Sequence, residues 1–290
     1  MKSKKSSKLM SGQEFKKVLE MMEKEPLLQA NILGGEPSLH PDAIEFSRQI
    51  NGTGTQVGFS TNGFWNKEFR KKFESVDFPL EIELTYLGKN NYEQEKVDLI
   101  YSTISQLKGH KVSLGIILCS PNDDYAEHIE ICKENQFSLR WALLEPIQKT
   151  GLTLGYSGQD QIKSMGMLAS RMIKEANSEG ISTWADLTVP KCAIENIDLF
   201  SGKLNDIQFK CPPFFDISTD LFIWRCLPLA PQITPKLTEF RGLREAYEFV
   251  NKIKEVHQYQ GVFNECMECE YLNSVCSGGP AIAKRIKNGV

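Results

Sequence analysis

LQANILGGEPSLHPDAIEFSRQINGTGTQVGFSTNG, residues 28–63, reads in succession as strand, polar loop, helix, strand and polar loop. The apolar run Leu28 to Leu33 leads into Gly34-Gly35-Glu36-Pro37. The stretch from about Asp42 to Ile50 has apolar residues at helical spacing, and the strand Gln56 to Ser60 leads into Ser60-Thr61-Asn62-Gly63. Two strands joined by a helix make a crossover unit with parallel strands, and ligands of parallel sheets bind beyond the carboxyl ends of the strands. Both polar loops lie at such ends. In the first, two glycines permit close backbone approach and Glu36 sets a carboxylate at the strand tip. Taken singly, GGEP is equally a tight turn with a solvated glutamate, and Asn62-Gly63 a turn in which both residues take positive φ. Taken together, the loops face one cavity and offer backbone donors, amides and one carboxylate to a polar, cationic ligand.

The same rhythm continues outward. Ser11 and Glu14 form a capping box that opens a helix to about Lys24, with Phe15, Val18, Leu19 and Met22 on one face. Further on, helix Lys67 to Glu74 leads to strand Leu80 to Tyr86, and helix Glu93 to Leu107 to strand Val112 to Cys119. Helix Tyr125 to Asn135 leads to strand Phe137 to Leu144, and a long helix, Gln159 to Glu179, to a short strand, Ile181 to Asp186. Near-continuous apolar strands such as VSLGIIL imply a parallel sheet covered by helices, doubly wound or barrel-like. A βα series should open with a strand, but only MKSKKSSKLM precedes Ser11, too polar for a buried parallel strand. The strand at Leu28 then becomes an open edge unless the preceding loop covers it. From about Cys192 the rhythm stops and cysteine, proline and turn residues take over, interrupted by one helix, Gly242 to Val256, so a second domain is expected there.

The 290 residues are 41% apolar and 24% charged, which excludes disorder and allows one large core or two smaller ones. No apolar run approaches the length of a membrane span, and no apolar stretch follows the basic opening to make a signal peptide, so the expected location is cytoplasmic. A net charge of -3 with both signs interspersed argues against nucleic acid and anionic membranes as partners, and leaves small molecules or a peptide. His40, His110, His128 and His257 form no ligand pair at helical spacing and read as structural or solvent-facing. Gly52-Thr53-Gly54 lacks the third glycine of a dinucleotide loop, which argues against NAD.

The eight cysteines are lopsided, with none in the first hundred residues and six in the last hundred. Cys119 and Cys132 read as core packing. Cys266-x2-Cys269 without a secretory signal reads as metal or cluster ligation before disulfide. Cys192, Cys211 and Cys226 form a second set. PPFFDISTDLFIWRC reads as a hairpin turning at Ser218 to Asp220, which would return Cys226 near Cys211. With Cys276, six candidate ligands supply one complete four-thiolate site with two spare, or two three-thiolate sites completed by a group such as Glu265, Glu268 or Glu270. One cluster is the expectation, and a four-cysteine zinc knuckle is its alternative.

The succession GGEPSLHPD (34–42) and STNG (60–63), followed by Cys266-x2-Cys269-x6-Cys276-Ser277-Gly278-Gly279, resembles the radical S-adenosylmethionine enzymes that carry a SPASM or twitch extension. The resemblance spans most of the chain. It implies a partial (β/α)6 TIM-like barrel lacking its first strand over residues 1–186, and a small cysteine-rich iron–sulfur domain over 187–290. It further implies that Gly34, Gly35, Glu36 and Pro37 hold the methionine end of S-adenosylmethionine and that Thr61, Asn62 and Gly63 form the next cofactor-binding loop; Thr85, Gly115 and Trp141 to Leu144 are placed near its ribose and adenine only by their position at strand tips, and Trp141 inside an apolar strand reads first as plain core. Cys192, Cys211, Cys226, Cys266, Cys269 and Cys276 are the implied ligands of an auxiliary iron–sulfur cluster, with zinc as alternative, and peptides or proteins are the implied substrates.

Two departures stand out. The family anchors its catalytic 4Fe-4S cluster on C-x3-C-x2-C after the first strand, and this sequence has no cysteine before Cys119. Without that cluster no electron reaches the sulfonium to release the 5′-deoxyadenosyl radical. The run after Cys276 also meets Pro280 where the SPASM pattern has a further cysteine. The absent strand and the absent loop are one segment, so the expectation is a truncated or inactive chain. Truncation is favoured over degeneracy because losing about three buried side chains, at ~1.5–3 kcal/mol each, approaches a typical net stability of ~5–15 kcal/mol. A non-catalytic metal-containing protein that binds a peptide or partner is the alternative from another class.

Overall fold

Side chains that point alternately to the two faces of each strand set the layering of the sheet, seen here in a computed structural model. The structure describes residues 8–144, 147–149, 152–154, 159–186, 188–194, 214–225, 235–258, 261 and 263–278. Strands β1 (Gln29–Ile32), β2 (Gln56–Thr61), β3 (Glu81–Thr85), β4 (Lys111–Leu118) and β5 (Ser138–Leu143) are joined by helices. These are α1 (Gly12–Lys24), which precedes β1, then α2 (Ala43–Gly52), α3 (Lys67–Phe73), α4 (Gln94–Gln106) and α5 (Ala126–Asn135). A two-stranded antiparallel ribbon follows, β6 (Ile147–Lys149) with β7 (Leu152–Leu154), which the sequence reading did not anticipate. Helix α6 (Gln159–Ser178) then returns the chain to β8 (Thr183–Ala185).

The main sheet has six strands in the order β1-β2-β3-β4-β5-β8, and every pairing is parallel. A doubly wound sheet reverses its strand order at a switch point, whereas this order runs straight through the chain. With right-handed crossovers throughout, all helices then lie on one face and the sheet curls as an open, partial barrel. Val57, Phe59, Ile82, Leu84, Val112, Leu114, Ile116, Leu139 and Trp141 point to the helix layer and are all buried. Each such side chain contributes about 1.5–3 kcal/mol of burial. The concave face instead carries Gln29, Asn31, Ser60, Glu81, Glu83, Thr85, Ser113 and Arg140.

The capping box at Ser11 is formed, and Phe15 of α1 stacks on Phe46 of α2 at 3.9 Å. Among the described residues nothing pairs with the outer edge of β1, and Leu28 beside it is 95% exposed. The open edge expected from the sequence is therefore present. Hairpin β9 (Asp216–Ile217) with β10 (Ile223–Trp224) turns where the sequence places it, and α7 (Leu243–Gln258) follows. Leu221, Ile223, Leu237, Leu243 and Val250 from this later part belong to the same buried cluster as the sheet. No described helix is long and apolar enough to cross a membrane.

Two histidines are built into the packing as neutral rings. His128 is buried, and its Nε2 lies 2.9 Å from the Tyr86 carbonyl, which can only accept; Nδ1 has no partner. His110 Nδ1 accepts from the Leu80 N–H at 3.2 Å. Burial lowers the pKa of both. The unfolded chain therefore takes up protons first as pH falls through the ordinary histidine value of about 6.5, so this contribution to stability is complete above that value and is lost below it. Urea unfolding at pH 7.5 and pH 5 should show the higher midpoint at pH 7.5, and His128→Gln should flatten the difference. An unchanged pH dependence in that variant would show that His128 does not contribute.

Candidate functional site

Glu36 is the hub of the first rim site. It follows β1 and caps the 3₁₀ turn Pro37–Leu39, its Oε1 accepting the Ser38 N–H at 3.1 Å. The same oxygen accepts the Thr61 hydroxyl at 2.8 Å, and Oε2 accepts the Asn62 N–H at 2.8 Å. The reading of GGEP as a turn with a solvated glutamate is thus overturned, because the carboxylate ties the loop after β1 to the loop after β2. Thr61 is buried and in turn accepts from Trp65 Nε1 at 2.8 Å and from the Gly63 N–H at 3.1 Å. Trp65 is fully buried against Phe69 and Phe73, so the rim is anchored in the aromatic core. The sequence reading did not single out Trp65; a tryptophan four residues after the threonine of a polar loop was the available signal.

Gly34 has φ +153°, a conformation side chains rarely adopt, and a Cβ added at Gly34 or Gly35 would meet nothing within 4 Å. That leaves open backbone beside a carboxylate with one lone-pair position unused, an arrangement able to accept a hydrogen bond from a further donor. Only Gly63 takes positive φ in the second loop; Asn62 does not, because its Oδ1 accepts the Phe64 N–H and closes the turn from the side chain. Pro37 is buried beneath the rim.

Deeper on the concave face, buried Arg140 donates to Asp186 at 2.5 Å and to the Thr85 hydroxyl at 2.8 Å, and lies 4.0 Å from Glu83. Gly115 makes room for it: a Cβ there would lie 2.7 Å from Arg140 Nη2. Thr85 and Gly115, expected near ribose and adenine, are therefore engaged by Arg140. Trp141 and Leu143 are buried and lie on the opposite face of β5 from Arg140, so Trp141 is core, the first reading of a tryptophan inside an apolar strand. Burial holds the Asp186 pKa above its ordinary value, with Arg140 opposing the shift in part.

A second rim site lies beyond the end of β8. Cys192, Cys266, Cys269 and Cys276 line a single cavity of about 360 Å³, together with Lys191, Tyr271, Leu272 and Gly278. Cys276 is buried, and its sulfur accepts the Gly278 N–H at 3.2 Å and the Lys191 N–H at 3.5 Å. Cys211 and Cys226 lie outside the described residues. Four thiols on one cavity suit a thiolate-bound centre. A lone tetrahedral zinc with Zn–S of about 2.3 Å needs sulfurs about 3.8 Å apart, and no three described His, Cys, Asp or Glu side chains are grouped to hold one ion. The four thiols share the cavity lining without being gathered around one point. Cys132 is buried as expected and burial pushes its thiol up to about 12. Cys119 is exposed, contrary to expectation, because it follows the last paired residue of β4, where Asp123 binds its N–H.

No family model and no curated protein matches this sequence. Among solved structures, the fold is similar to that of SuiB from Streptococcus suis bound to S-adenosylmethionine, with a TM-score of 0.64 at 14% identity over 94% of this chain and 66% of that one. SuiB bound to precursor peptide SuiA gives a TM-score of 0.64 at 13% identity, over 94% of this chain and 65% of that one. Native anSMEcpe with bound AdoMet and Cp18Cys peptide gives 0.61 at 16%, over 94% and 81%. At such identities the likeness is one of fold, and this chain spans about two thirds of the length of SuiB.

Glu36→Gln keeps the size of the side chain but turns one acceptor into a donor facing an N–H or hydroxyl. The variant should lose about 1–3 kcal/mol in urea unfolding, and the Asn62 amide should exchange faster with solvent. Unchanged exchange at Asn62 would show that the loops are held apart from this carboxylate.

Proposed function

We propose that this chain is a peptide-handling member of the radical S-adenosylmethionine enzymes, binding S-adenosylmethionine at the Glu36 rim and one auxiliary iron–sulfur cluster in the four-cysteine cavity. The observation that carries the reading is the placement of both sites. Parallel strands send the Gly34–Glu36 loop from β1 and the segment leading to Cys192 from β8 to the same side, beyond the carboxyl ends of the strands. Two proteins with this fold were solved with S-adenosylmethionine, and each also with a peptide.

In this proposal residues 1–186 form the cofactor-binding part and 187–290 the metal-binding part. Gly34 and Gly35 leave backbone open to the methionine end, while Glu36, Thr61 and Asn62 fix the rim and offer the remaining carboxylate lone pair to the amino group. Cys192, Cys266, Cys269 and Cys276 complete a four-thiolate set, which leaves Cys211 and Cys226 spare. When bound, the cluster supplies electron transfer or a substrate anchor. The catalytic cluster of the family does not fit the residues present, since residues 1–118 contain no thiol, and no radical step is assigned to this chain acting alone.

Anaerobic reconstitution with iron and sulfide should load about four iron per chain. Equilibrium dialysis should show S-adenosylmethionine bound, and Glu36→Ala should weaken it about tenfold or more. With reductant, the chain should form no 5′-deoxyadenosine. Zinc without sulfide in the purified protein would overturn the cluster, absence of S-adenosylmethionine binding would overturn the cofactor site, and 5′-deoxyadenosine would overturn the last statement.

A further inference from the structure

The four-cysteine cavity is assembled from two segments distant in the chain, 188–194 and 263–278, and their register decides whether Cys192 faces Cys276. We infer that the 3₁₀ turn Lys191–Ala193 is the joint that sets this register, with Gly166 and Lys191 as its positioning residues; the inference rests on the metal-centre reading above.

Gly166 lies inside α6, where glycine costs about 1 kcal/mol relative to alanine. Close packing is the physical reason for it. A Cβ at this position would lie 1.7 Å from the Ala193 carbonyl oxygen and 2.6 Å from its carbon. The obstacle is backbone, which cannot swing aside as a side-chain tip does. Any side chain here pushes the turn, and Cys192 within it, away from the helix. On its other side α6 packs against β5 and β8, so the turn is referenced directly to the parallel sheet.

The turn is gripped from the opposite side by Lys191. Its N–H donates to Cys276 Sγ, and its ammonium lies 3.6 Å above the ring of Tyr271. Tyr271 is part of the ligand-bearing segment itself, its carbonyl accepting the Cys276 N–H at 2.9 Å and the Val275 N–H at 3.2 Å. A cation over an aromatic face is attracted by the ring quadrupole. One residue thus reaches both a ligand sulfur and the loop that presents it. Partners outside the ligand set of this kind orient metal ligands and tune the centre.

The test compares wild type, Gly166→Ala and Lys191→Met, each reconstituted anaerobically with iron and sulfide. Gly166→Ala should keep its far-UV circular dichroism and bind S-adenosylmethionine within twofold of wild type, yet retain less than half the iron and sulfide. Lys191→Met should load the cluster, lose it to a chelator several-fold faster, and show an altered electron paramagnetic resonance spectrum after reduction. Wild-type loading, chelator lability and spectra in both variants would overturn the joint. If Gly166→Ala proves unfolded, Lys191→Met decides alone, and a wild-type chelator rate in it overturns the inference. A wild-type chain that takes up neither iron nor sulfide would overturn the metal-centre reading instead.

Discussion

Parallel pairing in straight sequential order is the constraint on which the rest of the molecule depends. Because every strand of the main sheet runs the same way, every loop that leaves a strand emerges at one edge. The chain needs no long-range instruction to gather Gly34, Glu36, Thr61, Asn62 and the approach to Cys192 on one side; the handedness of the crossovers does it. The same constraint separates the faces. Residues facing the helices are aliphatic or aromatic and buried, whereas the concave face can afford Glu83, Arg140 and Asp186 because these pair with one another.

Within that frame the first rim site is stiff for a reason that lies below it. The Glu36 carboxylate would be a mobile strand-tip group if it met only water. Instead it is held by a hydroxyl and two backbone N–H groups, and the hydroxyl is held by a buried tryptophan. Charge-assisted hydrogen bonds of this kind are stronger than neutral ones. The loops are therefore preorganised, and the backbone at Gly34 and Gly35 stays open beside them.

Much of this was legible in the residues. Apolar runs and helical spacing located the six strands and their helices to within a few residues, since strands buried on the helix side leave a dense aliphatic signal. The capping box at Ser11 is local chemistry and came through directly. The polar loops were visible as loops, but the hydrogen bond from Thr61 to Glu36 spans twenty-five residues, and spacing alone does not announce a partner so far away. Cys119 misled because an apolar run does not reveal where pairing stops. Gly166 was invisible for a related reason: a glycine inside a helix shows only that no side chain is wanted, and what it makes room for, Ala193, lies in another element. The spacing of Cys266 and Cys269 was legible as a pair, whereas the grouping of Cys192 with Cys266, Cys269 and Cys276 on one cavity needed the fold.

Sequential strand order also sets a timetable for assembly. Paired residues in the first four strand–strand ladders are 27, 23, 30 and 25 positions apart, as in Gln29 with Gln56, Gly58 with Glu81, Glu81 with Lys111 and Ser113 with Ser138, but Leu139 and Thr183 are 44 apart. The longer closure costs only about 0.5 kcal/mol more, so β8 is delayed by chain length rather than opposed by entropy. A growing polypeptide can therefore add its strands in the order of synthesis. Because the turn bearing Cys192 begins only six residues after β8, and Cys266, Cys269 and Cys276 come later still in the chain, the thiol-lined cavity takes shape after the sheet that carries it.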